Sequence, residues 1–366
     1  MFEVTSNRKD NILKMGSYVI REYKTEDKEK VFGLIKTNFI DIYDKIYTIW
    51  DWLFLNNPFN PNGSAHILVS ELNSEIIGLI CHIFVDLKIN NKITKARWGC
   101  IFVVHPKYRG KGIMLFKKSM EIPYYPYLGF PDKRTLILET KLGTSYFGFI
   151  YNQICILDMK IFLQNKLKNK FLSYLGGTTW SLIYKVLFTR KIYTKDVFIT
   201  QIESFDKRFD KFWEDICSYY PIIVVRNQKY LNWRFIESPF KYYIFTANKN
   251  NHLLGYLILR IKEKRGIKRG YIVDILANPN DRVTINLLIS KAVSFFKENK
   301  CITAECLLLA NKVSYYYKAL KRYGFLIKKS KVYFDGYSKD KEELDFIKNL
   351  DNWFITASDP DLEIWA

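Results

Sequence analysis

Residues 96–121 read A-R-W-G-C-I-F-V-V-H-P-K-Y-R-G-K-G-I-M-L-F-K-K-S-M-E. Three physical signals follow one another there. Trp98 to Val104 is an apolar run rich in aromatic and β-branched residues, which predicts a buried strand. His105-Pro106 closes it, because proline cannot donate to a sheet ladder. Arg109-Gly110-Lys111 is a basic, glycine-bearing loop. From Gly112 onward Ile113, Phe116 and Met120 recur at helical spacing. A strand, such a loop and a helix start together predict an anion site. Backbone N–H groups point outward there, and glycine admits a phosphate closely.

The same residues resemble a known family. V-V-H-P-x-Y-R-G-K-G-I is similar to the acetyl-coenzyme A loop of the GNAT acyltransferase superfamily. That family's Gln/Arg-x-x-Gly-x-Gly/Ala pattern falls on Arg109, Gly112 and Met114. Met114 departs from the small residue of the pattern; its side chain either narrows the approach to the pyrophosphate or points into the core. The resemblance implies acetyl-CoA, or another acyl-CoA, as co-substrate. It places the coenzyme on Val103, Val104, Arg109, Gly110, Lys111, Gly112, Ile113 and Met114.

Composition bounds the rest. A chain of 366 residues exceeds one typical domain, and 48% hydrophobic residues can fill two cores. The net charge of +20 suits phosphates, acidic polymers or a membrane face, yet Lys, Asn, Ile, Tyr and Phe are abundant together, so most of it reads as compositional. Zinc-finger spacing, RNP-like motifs and basic recognition helices are absent, so no nucleic-acid partner is expected. Six cysteines without a C-x-x-C pair, and four histidines, argue against a metal site or a disulfide framework. The opening M-F-E-V-T-S-N-R-K-D is polar and lacks a signal-peptide core. No apolar run of about 20 residues predicts a transmembrane segment. A cytoplasmic location is expected, and the oligomeric state is left open.

In order, residues 1–16 read as a loose leader, Tyr18 to Glu22 as a first strand, and Thr25-Glu26-Asp27 as the cap of a helix through Asn38. His66 to Ser70 and Ile76 to Leu87 read as strands, the second carrying Gly78. Tyr124 to Phe130 reads as a fifth strand and Pro131-Asp132 as the start of a short helix. Tyr146 to Ile150 and Cys155 to Phe162 read as a closing hairpin. Residues 163–200 form a basic, aromatic connector, in which the apolar run Leu175 to Phe188 suits a packed helix or a peripheral membrane helix.

The second half repeats the first in degenerate form. W-R-F-I-E-S-P at 233–239 matches W-L-F-L-N-N-P at 52–58, and Gly255 matches Gly78. Arg282 falls on Arg109 and Pro279 on Pro106, while Val283 and Ile285 replace Gly110 and Gly112. Two β-carbons then stand where backbone would meet phosphate, and Asp281 adds negative charge. The expected architecture is α/β, with a mixed sheet and two tandem GNAT-like domains. The expected boundaries are 1–162 for the coenzyme-binding domain, 201–340 for a degenerate domain, and 341–366 for an acidic, aromatic tail.

The resemblance implies amine deprotonation, attack on the thioester, an oxyanion donor and an acid for the thiolate. Many relatives carry a glutamate near the position of Trp98, and none stands there. The base must come from elsewhere, with Asp86, Asp132 and Glu139 as candidates and Tyr146 as candidate acid. Trp50, Trp52 and Trp98 either line an aromatic acceptor pocket or belong to the core, and the recurrence of Trp52 as Trp233 favours the core for Trp52. Three functions remain open: an N-acyltransferase acting on a small amine such as an amino sugar, a non-catalytic binding or assembly protein, and an aminoacyl transferase of the peptidoglycan-bridge type.

Overall fold

The computed structural model describes residues 18–167, 174, 176–180, 194, 196–311, 314–359 and 362. Its strands are β1 Tyr18–Glu22, β2 Ile67–Leu72, β3 Glu75–Ile89, β4 Lys92–Val104, β5 Tyr127–Gly129, β6 Ser145–Ile156, β7 Phe198–Ile202, β8 Ile222–Val224, β9 Tyr243–Lys249, β10 His252–Lys264, β11 Ile267–Ala277, β12 Thr303–Leu309, β13 Leu326–Tyr337 and β14 Ile355–Thr356. The architecture is mixed α/β. Two compact units are formed. The first holds residues 18–44, 66–81 and 101–122; the second holds 45–65, 82–100 and the described residues from 123 onward. β3 and β4 each run from one unit into the other.

In the first unit β1, β2 and the start of β3 pair antiparallel, with Tyr18 opposite Leu72 and Ile67 opposite Cys81. The helix Lys28–Asn38 buries Val31, Phe32, Leu34 and Ile35, one stripe at helical spacing. The helix Gly112–Ser119 buries Leu115 and Phe116. Gly78 permits that packing: a β-carbon there would meet Ser70 Oγ and come within 3.1 Å of Leu115 Cδ2.

In the second unit the strand order is β4-β5-β13-β6-β12-β11-β10-β9-β7. Only β4/β5 and β11/β12 run parallel; the other neighbours along this path are antiparallel. β8 pairs with the end of β3, Leu87 opposite Val224. Each parallel pair is thus extended by the long strand of the opposite sequence half: β13 lies beside β5, and β6 beside β12. Gly129 faces Asp335 across one seam, and Cys306 faces Gln153 across the other.

The two Trp-x-Phe motifs adopt the same rare turn. Asp51–Leu55 and Asn232–Ile236 are single π-helical turns, each with its tryptophan second and its phenylalanine fourth. Gly255 repeats the role of Gly78, since a β-carbon there would lie 2.7 Å from Leu276 O and 3.2 Å from Leu288 Cδ1 in the helix Arg282–Glu298.

Several expectations need correction. The closing hairpin is one strand, β6, followed by the helix Met159–Leu167, whose start Asp158 caps by accepting from Ile161 N. No turn is needed within it because β12 and β13 supply its partners. The fifth strand is shorter than Tyr124 to Phe130, starting after a cis Tyr125–Pro126 bond. β4 begins at Lys92, before the apolar run. The helix that follows β12 spans Tyr315–Arg322, with the Ser314 side chain capping it. The leader 1–16, most of Leu175 to Phe188 and the end of the tail lie outside the described residues.

Candidate functional site

In the first unit, β4 delivers Val103, buried, and Val104, half-buried, to a 3-10 segment Pro106–Lys111. His105 organises the turn: its carbonyl accepts from Tyr108 N at 2.8 Å and its Nδ1 from Lys107 N at 3.3 Å. The helix Gly112–Ser119 then starts with no side-chain cap and no acid in its first turn. The positive end of its dipole is therefore offset by no protein carboxylate within that turn.

The two loop glycines differ. Among the described residues, a β-carbon on Gly110 would meet nothing within 4 Å. One on Gly112 would lie 2.9 Å from Val104 Cγ2, so this glycine lets the helix pack on β4. Met114 is 54% exposed and Ile113 41%, so Met114 does not enter the core. Arg109 lies on the exposed loop surface. Lys111 instead lies over the Tyr18 ring at 4.4 Å, and the Tyr18 hydroxyl donates to Lys111 O. An open glycine, an uncapped helix start and a basic loop fit a diphosphate-bearing coenzyme.

The corresponding loop of the second half, within the second unit, has the opposite character. Asp281 caps the helix Arg282–Glu298, accepting from Thr284 N at 3.0 Å and from Thr284 Oγ1 at 2.6 Å. A carboxylate stands where an anionic ligand would. Ile285 is fully buried.

The divergence of β11 from β12 is also occupied. β14 pairs with β12, Leu308 opposite Thr356, and Ser358 N donates to Val273 O at 3.0 Å. Buried charges lock this segment: Arg226 bridges Asp274 at 3.1 Å and Asp359 at 2.6 Å, and Arg234 donates to Ser358 O. Part of the acidic tail thus fills the opening between the two parallel strands of the second half.

The second unit holds Glu139, in the helix Lys133–Lys141. Asp132 caps that helix through Arg134 N and Thr135 N, so its carboxylate is structural. Glu139 is 4% exposed and Asp335, on β13, is fully buried. Tyr127 donates to Glu139 Oε1 at 3.3 Å, and Thr144 donates to Asp335 Oδ2 at 2.9 Å. The remaining oxygens, Glu139 Oε2 and Asp335 Oδ1, have no donor among the described residues, and both flank Gly129. Burial, then the neighbouring Asp335 charge, holds the Glu139 carboxyl well above its ordinary range. Burial pushes Asp335 up to about 6. Two such groups share a proton more readily than both ionise. Behind them, Arg97 packs on the Tyr127 ring and on His82 Nε2, and burial brings its guanidinium down to about 10.

The other candidates are dispersed. Asp86 is paired with Lys95 at 2.5 Å. Tyr146 is 45% exposed on β6, opposite Asp335 in register. Trp50 is fully buried and packs on Phe54, whereas Trp98 is 1% exposed and stacks on Phe130 and Phe334. Both rings belong to the core here. Sequence reasoning missed Asp335, Tyr127 and Thr144. One signal was present: K-V-Y-F-D-G-Y at 331–337 carries a lone carboxylate inside an aromatic strand.

No family model matches the sequence, and no curated protein does. Solved structures do. A probable N-acyltransferase from Enterococcus faecalis aligns with a TM-score of 0.60 at 10% identity, over 88% of this chain and 72% of that one. A GCN5-related N-acetyltransferase from Anabaena variabilis gives 0.58 at 11% identity, over 87% and 72%. The Saccharomyces cerevisiae N-myristoyltransferase with bound myristoyl-CoA gives 0.56 at 12% identity, over 91% and 85%. At these identities the shared property is the fold, and it is the fold of the GCN5-related acyltransferases.

Proposed function

We propose, from the GNAT fold as premise, that this chain is an acyl-CoA-dependent N-acyltransferase acting on a small-molecule amine, with one coenzyme site per chain. The observation that carries the reading is the contrast between two helix starts. The first, at Gly112, is uncapped and basic; the second, at Arg282, is closed by Asp281. A tandem arrangement with one active and one degenerate half follows from that contrast. The domain limits 1–162 and 201–340, an amino sugar as acceptor, and a cytoplasmic location belong to the same proposal. No described helix is long and apolar enough to cross a membrane.

Arg109, the exposed Gly110 and the start of the helix at Ile113 hold the coenzyme phosphates, while Gly112 N donates to Arg109 O and shapes the loop, with Val103 and Val104 lining the strand that precedes them. The bound acyl-CoA supplies an activated thioester carbonyl. In the second unit the buried Glu139 and Asp335 hold a single proton between them.

Isothermal calorimetry with coenzyme A tests the reading, with one site per chain expected. Two equivalent sites, or none, would overturn it. Release of free thiol from acetyl-CoA in the presence of an amine panel tests turnover. Coenzyme binding without turnover on any amine would favour a binding or assembly protein on the same fold, the reading supported by Trp98 standing in the core where relatives carry a glutamate.

A further inference from the structure

The two seams of the central sheet are stations of the same kind, and one of them is hollow. At the first, Asp335 faces Gly129 across β13 and β5. Glu139, seven residues after the capping Asp132, closes on it. At the second, Gln153 faces Cys306 across β6 and β12. Lys321, seven residues after the capping Ser314, holds the matching helix position but is exposed. The first station is filled by its carboxyl pair. The second opens into a cavity of about 790 Å³ that both Gln153 and Lys321 line.

That cavity has the size and lining of a small-molecule site. Its walls are aliphatic and aromatic, from Phe149 and Ile150 on β6, Leu308 and Leu309 on β12, and Leu350. Gly148 is part of the wall at φ +144, where a β-carbon would lie 2.7 Å from Leu350 Cδ1. The lining follows β6 from Gly148 to Gln153, roughly 17 Å at ~3.3 Å per residue. A trough of that length suits an extended chain better than a compact ring. Leu326 and Ile327 also line it, yet are 54% and 68% exposed. They form an apolar mouth beside the β13 irregularity between Ile327 and Lys331. Among the described residues, Lys321 supplies the one lining cation and Asp351 the one lining anion.

We propose that this cavity is a second ligand site, independent of the coenzyme loop, for a long-chain aliphatic carboxylate whose chain lies along β6 and whose head pairs with Lys321. A neutral amphiphile would lose the charge-assisted contact and bind less tightly.

The experiment is fluorescence titration of the full chain with cis-parinaric acid below its micellar range. Saturable binding at one site per chain is expected, displaced by dodecanoate at least tenfold more effectively than by dodecanol or by adamantane carboxylate. Lys321→Gln should erase the preference for the acid over the alcohol. Leu326→Asp with Ile327→Asp, at positions already exposed, should weaken probe binding at least tenfold, while Tyr219→Asp, exposed elsewhere, leaves it unchanged. Circular dichroism establishes that the variants are folded. Non-saturable binding, equal displacement by the compact acid, or affinity indifferent to both the mouth and the Lys321 changes would each overturn the proposal. Coenzyme A calorimetry on the same samples keeps this outcome separate from the function proposed above.

Discussion

Trp52 and Trp233 each hydrogen-bond the other's backbone. The Trp52 indole donates to Trp233 O at 2.8 Å, the Trp233 indole donates to Trp52 O at 3.4 Å, and the rings lie 5.7 Å apart. Residues 181 positions apart in sequence are thus equivalent in space. Both sit in π-helical turns and both are buried.

Replacing either tryptophan with phenylalanine should cost about 1–3 kcal/mol, because each change strands a buried carbonyl. The double change should cost less than the two singles together, by about 1 kcal/mol, since they break one reciprocal unit. Urea unfolding midpoints measure this. Strictly additive losses would show the pair to be two unrelated contacts.

The loop glycines should separate in their effects. Gly110→Ala should leave the thermal midpoint unchanged yet weaken coenzyme A binding about tenfold, because no described residue lies within 4 Å of the added methyl group and a bound phosphate would meet it. Gly112→Ala should lower both the midpoint and the affinity, since its new methyl group meets Val104. Thermal shift with calorimetry reads both. Unaltered affinity in Gly110→Ala would move the phosphates away from this loop.

Arg109 should carry more of the coenzyme's salt dependence than Lys111. Lys111 is committed to the Tyr18 ring, whereas Arg109 stands on the loop surface. Arg109→Gln should flatten the fall of affinity with ionic strength. Equal slopes in Arg109→Gln and the parent protein would place the charge-sensitive contact elsewhere.

The carboxyl pair predicts a pH-dependent stability. Asp335 has a folded pKa near 6 against an ordinary value of 3.8. A raised carboxyl binds its proton more tightly when folded, so its contribution is full below the ordinary value and is lost as pH rises through about 6. Asp335→Asn mimics the protonated form and can still accept from Thr144. At pH 8 the variant should be the more stable by up to about 3 kcal/mol, with the advantage shrinking toward pH 4. Thermal midpoints across that range check it; a constant difference would mean the pair does not share a proton.

How much could be read beforehand depended on the range of the forces involved. Arg109 to Met120 was legible because a strand end, a basic loop and a helical stripe are local patterns. The match of Gly255 to Gly78 was legible too, and both positions admit a leucine from the following helix. The role of Glu139 was not, because its partner Asp335 lies 196 positions away and only the sheet brings them together. β6 was misread for the same reason: its neighbours are β12 and β13, far along the chain, and no turn residue announces them. The tryptophans were ambiguous because a core ring and a pocket ring look alike until exposure is known.

The interleaving of β6 and β13 also sets a timetable for synthesis. β5 leaves the ribosome with β4 on one side, but its other neighbour, β13, begins at Leu326 and meets it only through residues 335–337. At 5–20 residues per second, roughly ten to forty seconds pass between the two events. Throughout that interval Tyr127–Gly129 presents an unpaired edge, the kind of surface that recruits stray strands. The nascent chain therefore has a defined period of vulnerability, and a pause in translation between residues 129 and 335 lengthens it.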